Sequence, residues 1–259
     1  MVFADAHLAR RLEAAEAANA RGCAPSERTI LELAGGCAVF VGADSPLTQA
    51  VGLGLNGPLS DADLACLEVF FHSRGAPVTI DLCPLADPHF VDALHRGGYG
   101  LAEFNNVLVR RLAGAEIVMT PHVRRATADE ADFWSHTVGR GYFEQHELTT
   151  GEMDVGRAIF AMPGALCYLS SGAAGEPAGG AALAIYNGAA ILFADSTIPA
   201  FRRQGLQREL ISARLNEALA QGCDLAMAST QPGSASQRNY ERQGFEVVYT
   251  KATMVLPRP

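Results

Sequence analysis

The run from Ile198 to Leu210 constrains the fold more than any other part of this 259-residue chain. It follows the apolar run 189–194 and leads into apolar residues spaced as on one helix face, namely Leu206, Leu210, Ile211, Leu215 and Leu219. The pattern predicts a strand, a basic turn that contains Gly205, and a helix.

The predicted turn has the chemistry of an anion site. The first N–H groups of a helix lack intrahelical partners and carry the positive end of the helix dipole. Gly205 lets backbone approach a ligand because it has no Cβ. Arg202, Arg203 and Arg208 add positive charge. The turn is therefore predicted to hold a phosphate or pyrophosphate.

Two motifs in the second half of the chain resemble those of the GNAT superfamily of N-acetyltransferases. The run Ile-Pro-Ala-Phe-Arg-Arg-Gln-Gly-Leu-Gln at 198–207 resembles its acyl-CoA loop. The run 232–245, which ends in Tyr240-x-x-x-Gly244-Phe245, looks like its second hallmark. Two positions depart from the family pattern: Gln207 stands where the family has Gly or Ala, and Gly233 where many members have Asn.

The resemblance implies acetyl-CoA as a co-substrate and assigns residues to it. Tyr240 matches the tyrosine that protonates the departing thiolate, and the strand end that begins at Asp195 is expected to pair with the pantetheine through backbone groups freed by a bulge. The implied cofactor-binding residues are Ser196, Thr197, Ile198, Arg202, Arg203, Gln204, Gly205, Leu206, Gln207, Arg208 and Asn239.

The segment 134–146 lies where the resemblance places the border of the acceptor pocket. Its candidate pocket residues are Trp134, His136, Tyr142, Glu144 and His146. The same pattern also fits a solvated helix face whose aromatic residues point inward. For the general base, the sequence leaves Asp195, His136, Glu144, His146 and an ordered water chain as alternatives.

The two halves of the chain resemble each other at an offset of 146 residues. Gly98-Tyr99 falls on Gly244-Phe245, the apolar run 78–82 falls on 224–228, and 107–109 falls on 253–255. Such self-similarity indicates a duplicated architecture, although two unrelated α/β pieces with a similar rhythm remain an alternative. We predict an α+β fold of two tandem GNAT-like domains, residues 1–115 and 116–259, each with a mostly antiparallel central sheet flanked by helices.

Only the second half carries the basic loop. In the first half the run 55–61 replaces it, and Asp61 and Asp63 place carboxylates at the predicted helix start, where they serve the dipole and repel a pyrophosphate. The first half is therefore expected to be degenerate, with a structural or substrate-shaping role. Its strands are predicted at 29–32, 37–42, 49–55 and 104–111, and a further strand begins at Val78.

Composition limits the partners. A net charge of −8 argues against nucleic acid. The six cysteines lack metal-ligand spacing, so no metal is expected and they are interpreted as reduced core thiols of a cytoplasmic protein. The apolar stretch 178–194 contains Asn187-Gly188, a hairpin signal, and therefore predicts two strands and no membrane span. A monomer or a homodimer is expected.

The leading hypothesis is an enzyme that moves the acetyl group of acetyl-CoA to a primary amine of a small molecule. A non-catalytic or regulatory CoA-binding protein of the same fold is the alternative. An aminoacyl-tRNA-dependent transferase is disfavoured because the chain is acidic.

Overall fold

The computed structural model describes residues 2–114 and 116–258. Over these residues there are seven α-helices and eleven strands. The helices are α1 Ala6–Gly22, α2 Asp61–His72, α3 Pro88–Arg96, α4 Ala131–Tyr142, α5 Thr150–Phe160, α6 Leu206–Ala220 and α7 Ala235–Arg242. The strands are β1 Ile30–Leu33, β2 Gly36–Val39, β3 Gln49–Val51, β4 Val78–Leu82, β5 Gly100–Arg111, β6 Val123–Arg125, β7 Leu166–Ser171, β8 Pro177–Tyr186, β9 Ala189–Thr197, β10 Leu225–Thr230 and β11 Glu246–Leu256.

The chain divides into two compact units. Unit 1 contains residues 2–107, 230–232 and 247–258, and unit 2 contains the described residues of 108–229 together with 233–246. The sequence predicted a division of the chain at residue 115. The two units differ from this division, because residues 247–258, which include most of β11, belong to unit 1. Ala115 itself lies outside the described residues.

Unit 1 has strands in the order β1-β2-β3-β4-β11-β5. The pairs β1–β2, β2–β3 and β4–β11 are antiparallel, and β3–β4 is parallel. Helix α2 contributes Leu64, Leu67, Phe70 and Phe71 to the core at helical spacing, and these side chains pack with Ile80 of β4. Unit 1 thus has its own hydrophobic core.

Unit 2 has the order β5-β10-β9-β8-β7-β6, where the last residues of β5 lie in this unit. The pairs β6–β7, β7–β8 and β8–β9 are antiparallel, and β9–β10 is parallel. Leu210 and Ile211 of α6 are fully buried against this sheet with Leu183 and Leu192. Both units therefore have the mixed, mostly antiparallel architecture that the sequence predicted.

The apolar stretch 178–194 forms the hairpin β8–β9. Asn187 and Gly188 connect the two strands with φ of +48° and +74°, the backbone that a type I′ turn requires. Among the residues described, no helix is long and apolar enough to cross a membrane.

The elements repeat at the predicted offset. Adding 146 to the bounds of α2, β4, α3 and β5 brings each of them onto α6, β10, α7 and β11 with end shifts of a few residues. A capping box is present at Thr127, since the Glu130 carboxylate accepts from the Thr127 N–H at 2.9 Å. The six cysteines are free, but Cys66 is exposed on α2, so the expectation of core thiols is wrong for that one.

Candidate active site

The basic turn of unit 2 has backbone donors without side-chain caps. Gly205 precedes α6 with φ of +87°, a conformation that favours glycine, and no side chain caps the helix. A Cβ added at Gly205 would meet no atom within 4 Å, so the space beside it is open. Arg203 and Arg208 are exposed on either side. The geometry is that of an anion-binding helix start.

Arg202, a predicted cofactor contact, is held by partners within the protein. Its guanidinium donates to the carbonyl oxygens of Thr197 and Gly141, both at 3.2 Å, and forms an ion pair with Glu144 at 2.7 Å. Glu144 has φ of +56° in the chain that follows α4. Arg202 therefore joins the turn, the end of β9 and the predicted pocket segment.

Gln207, which replaces a small residue of the family pattern, connects α6 to α7. Its amide nitrogen donates to Ser236 Oγ at 3.2 Å, and its amide oxygen accepts from Asn239 Nδ2 at 2.7 Å. The side chain of Asn239, a predicted cofactor contact, is thus already bonded to Gln207. Gln204 donates to the Ala200 carbonyl at 3.4 Å, and Leu206 is buried.

Strand β9 has a bulge at its C-terminal end. Gly180 pairs with Ser196 and Ala182 with Phe193, so that Ala194 and Asp195 share one opposing residue, and Ala194 has φ of +54°. On the other edge, pairing of β9 with β10 runs only from Ala189 to Ile191, although both strands continue. The bulge and the early end of pairing coincide with the predicted pantetheine-binding segment.

The remaining strand-end residues are partly committed to the fold. Ser196 donates its hydroxyl to the Val138 carbonyl of α4 at 2.6 Å, and the Ile198 N–H donates to the Ala178 carbonyl at 2.9 Å. Thr197 Oγ1 is buried and has no hydrogen-bond partner among the described residues.

Asp195 and Tyr240, which the sequence proposed separately, are in direct contact. The Tyr240 hydroxyl donates to Asp195 Oδ2 at 2.6 Å, and the tyrosine is almost fully buried. Its ring packs edge-on against Phe245 at 4.9 Å between centroids. Burial raises the pKa of Tyr240 well above its ordinary value near 10, Arg214 opposes the rise and Asp195 reinforces it. The phenol is therefore protonated at neutral pH.

The third member of this cluster, Arg214 of α6, was not proposed from the sequence. Its guanidinium is fully buried and forms a two-point ion pair with Asp195, one contact being 3.0 Å. Burial works against the charge, but Asp195 and Tyr240 together outweigh burial, so the pKa of Arg214 is raised. The signal in the sequence is a charged residue on the apolar face that includes Leu210 and Ile211.

The predicted pocket residues divide into a core residue and exposed ones. Trp134 is fully buried, its indole N–H donates to the Tyr168 carbonyl at 3.0 Å, and its ring packs against Phe160. It is therefore a core residue. His136, Tyr142, Glu144 and His146 are exposed.

Comparison with solved structures identifies the class of fold. A GCN5-related N-acetyltransferase from Kribbella flavida is similar, with a TM-score of 0.69 and 18% identity, over 97% of this chain and 96% of that chain. A tandem GNAT protein from the clavulanic acid biosynthesis pathway is similar over 78% of this chain and 69% of that chain, with a TM-score of 0.56 and 15% identity. At these identities the likeness establishes the fold, which is GNAT-like over most of the chain.

The second half also matches a family by sequence. The segment that matches the model of the acetyltransferase (GNAT) family comprises residues 131–245. It includes the basic turn, Asp195, Arg214 and Tyr240. No curated protein matches the chain.

Proposed function

We propose that the chain is an N-acetyltransferase that moves the acetyl group of acetyl-CoA to a primary amine of a small molecule, with unit 2 as the catalytic unit. The observation that carries the proposal is the pairing of Tyr240 with Asp195 at the bulged end of β9, in the same domain as the uncapped turn at Gly205. The turn is suited to hold the pyrophosphate of the thioester, and the phenol is suited to protonate the departing thiolate.

Acetyl-CoA is assigned to the turn and to β9. Backbone N–H groups of 203–208 face the pyrophosphate, with charge from Arg203 and Arg208. The bulge frees backbone groups of β9 for the pantetheine, and one N–H there polarises the thioester carbonyl. Arg202 and Asn239 act indirectly, because Glu144 and Gln207 already occupy their side chains.

The chemistry is direct transfer. The neutral amine nitrogen attacks the thioester carbon, a C–N bond forms, and the tetrahedral intermediate collapses with cleavage of the C–S bond. The sulfur takes a proton from the Tyr240 hydroxyl, and the proton that the nitrogen loses restores the phenol, so the products are an amide and a free thiol. Both Asp195 oxygens are held by Arg214 and Tyr240, so we assign Asp195 to orienting the phenol.

Unit 1 is assigned a structural or substrate-shaping role. The start of α2, which corresponds to α6 at the 146-residue offset, is capped by its own side chains: Ser60 Oγ accepts from the Asp63 N–H at 3.1 Å, and Asp63 accepts from the Ser60 N–H at 2.9 Å. This helix start already has an anionic partner, whereas α6 has none from a capping side chain.

The proposal is tested by incubating the full chain with acetyl-CoA and a panel of primary amines, while free thiol release and acetylated products are followed. We expect protein-dependent thiol release with one class of amine. Tertiary amines of the same charge and size are the matched control, because they have no proton to lose and form no stable amide. Acetyl-CoA binding without transfer to any primary amine would contradict the enzyme.

That last outcome would support a non-catalytic CoA-binding protein. The occupation of Arg202 by Glu144 and of Asn239 by Gln207 favours this second candidate, because two predicted cofactor contacts already have internal partners. The alternatives differ in one readout: both bind acetyl-CoA, and only the enzyme consumes it.

A further inference from the structure

We propose that Arg214 is a positioning residue of the acetyl-transfer site, which holds the bulge of β9 in place and fixes Asp195 and Tyr240 with a single guanidinium. The inference rests on the proposed function and adds a residue that neither motif contains. It is carried by the contacts of a fully buried cation.

Arg214 is an unusual residue for its position. It lies on the face of α6 that packs on the sheet, next to Leu210 and Ile211. Burying a cation is strongly unfavourable unless the cation is paired and hydrogen-bonded. Hydrophobic side chains of similar volume fill such positions without that cost. We therefore infer that the arginine has a role that a hydrophobic residue cannot perform.

The guanidinium spans the bulge. Its Nη1 donates to the carbonyl of Ala182 on β8 at 3.1 Å and to that of Phe193 on β9 at 3.3 Å, the two residues paired at the start of the bulge. The same nitrogen contacts Asp195 Oδ2 at 3.0 Å, on the other side of Ala194. Ala194 has a left-handed backbone, which is strained in a non-glycine residue. Bonds to both flanking residues hold it there.

Arg214 also fixes the phenol. Asp195 accepts from both Arg214 and Tyr240, and Arg214 Nη2 lies 3.5 Å from the Tyr240 oxygen. The Asp195 carboxylate raises the pKa of Tyr240, and the Arg214 guanidinium opposes that rise. One side chain thus links the backbone that is proposed to hold the thioester with the hydroxyl that is proposed to protonate the sulfur.

The electrostatic link is tested by titrating Tyr240 in two variants, since it predicts opposite effects of the two charges. In Asp195→Asn the cation remains and the anion is gone, so the phenol ionises at lower pH than in the wild type. In the double variant Asp195→Asn/Arg214→Gln both charges are absent, and the phenol pKa rises again by at least about one unit. Phenolate absorbance measures both, and Tyr240→Phe in each background assigns the signal.

The double variant also protects the test from misfolding. Arg214→Gln alone leaves the Asp195 charge buried without its partner, whereas removing both charges avoids that penalty. Equal phenol pKa values in the single and double variants, or a lower phenol pKa in the double variant, would overturn the electrostatic link.

Kinetics separate this inference from the proposed function. With an accepted amine, Arg214→Lys keeps the charge but loses the planar fork that spans the bulge, and we expect kcat to fall at least tenfold. Unchanged kcat would overturn the positioning role and leave the acetyltransferase intact. Absence of transfer in the wild type would remove the proposed function, while the titration would still measure the link between Arg214 and Tyr240.

Discussion

Within unit 2 the hydroxyl of Tyr240 donates a hydrogen bond to the Asp195 carboxylate, and this contact determines the protonation state of the tyrosine. A tyrosine that only fills space between helix and sheet needs no anionic acceptor, and a buried phenol beside a carboxylate is protonated at neutral pH. The protonated phenol is the form that donates to a thiolate. Raising its pKa weakens the acid, and Arg214 limits that rise.

Removal of this hydroxyl is predicted to slow chemistry and spare binding. Tyr240→Phe should lower kcat roughly a hundredfold or more with an accepted amine, because general acid catalysis is lost, while the Kd for acetyl-CoA is unchanged. Steady-state kinetics and calorimetry measure the two quantities.

The matched control is Tyr168→Phe, since Tyr168 Oη is buried and has no hydrogen-bond partner among the described residues. That variant should keep both kcat and Kd. Equal losses of kcat in the two variants would argue against Tyr240 as the proton donor.

At this scale the sequence singled out Asp195 and Tyr240 as candidates but did not predict the contact between them. The turn at Gly205 was evident because glycine and arginine types report directly on backbone and charge. The bond between Asp195 and Tyr240 joins residues 45 positions apart and depends on how α7 packs. Arg214 was not predicted because a helical pattern is defined by its apolar residues, and a charged residue among them is not part of that signal.

Between elements, α4 packs tightly against the end of β9 at Gly141. A Cβ at Gly141 would lie 2.2 Å from Ser196 Oγ and 2.8 Å from the Thr197 carbonyl carbon. Glycine is therefore required at this point of α4 by contact, and the contact sets where the bulged end of β9 lies.

Gly141→Ala is predicted to destabilise unit 2 by roughly 1–3 kcal/mol, because the backbone of β9 or α4 must move. Gly151→Ala in α5 is the control: its Cβ would meet nothing within 4 Å, and alanine should stabilise the helix by up to about 1 kcal/mol. Urea unfolding measures both free energies. Similar shifts of the midpoint in the two variants would contradict the packing account.

The order of elements was largely predictable, since apolar periodicity, caps and the Asn187-Gly188 turn are local signals. Strand partners were not. Periodicity indicates that β11 is a strand, but it does not indicate which strands are its neighbours. In the structure β11 pairs with β4 of unit 1.

On the scale of the whole molecule, β11 contributes a buried cation to unit 1. Lys251 is almost fully buried and contacts three carboxylates, Glu13 at 3.4 Å, Glu16, and Asp81 at 3.9 Å. Burial raises the pKa of Glu13 to about 7, although Lys251 opposes this. The Tyr249 hydroxyl donates to the same carboxylate at 2.8 Å.

The cluster predicts a pH dependence of stability. The pKa of Glu13 is higher in the folded state than its ordinary value of 4.5, so protonation favours folding. Its contribution to the free energy of unfolding is complete below about pH 4.5 and is lost as the pH rises through about 7. Glu13→Gln keeps an acceptor for Tyr249 and removes this titration.

Chemical denaturation from about pH 5 to pH 8 measures this pH dependence of stability. Lys251 stays charged at these pH values, because its carboxylate partners outweigh burial and raise its pKa above the ordinary value. The wild type should lose stability with rising pH relative to Glu13→Gln. Parallel stability curves for the two proteins would contradict the assignment.

The central claim is that the turn of unit 2 binds acetyl-CoA, and isothermal titration of the full chain with acetyl-CoA tests it most directly. We expect binding at micromolar Kd that Arg203→Glu abolishes, because an exposed cation beside an uncapped helix start becomes an anion. Arg28→Glu, an exposed charge reversal in unit 1, should bind like the wild type. No binding by the wild type, or equal binding by Arg203→Glu, would contradict the claim.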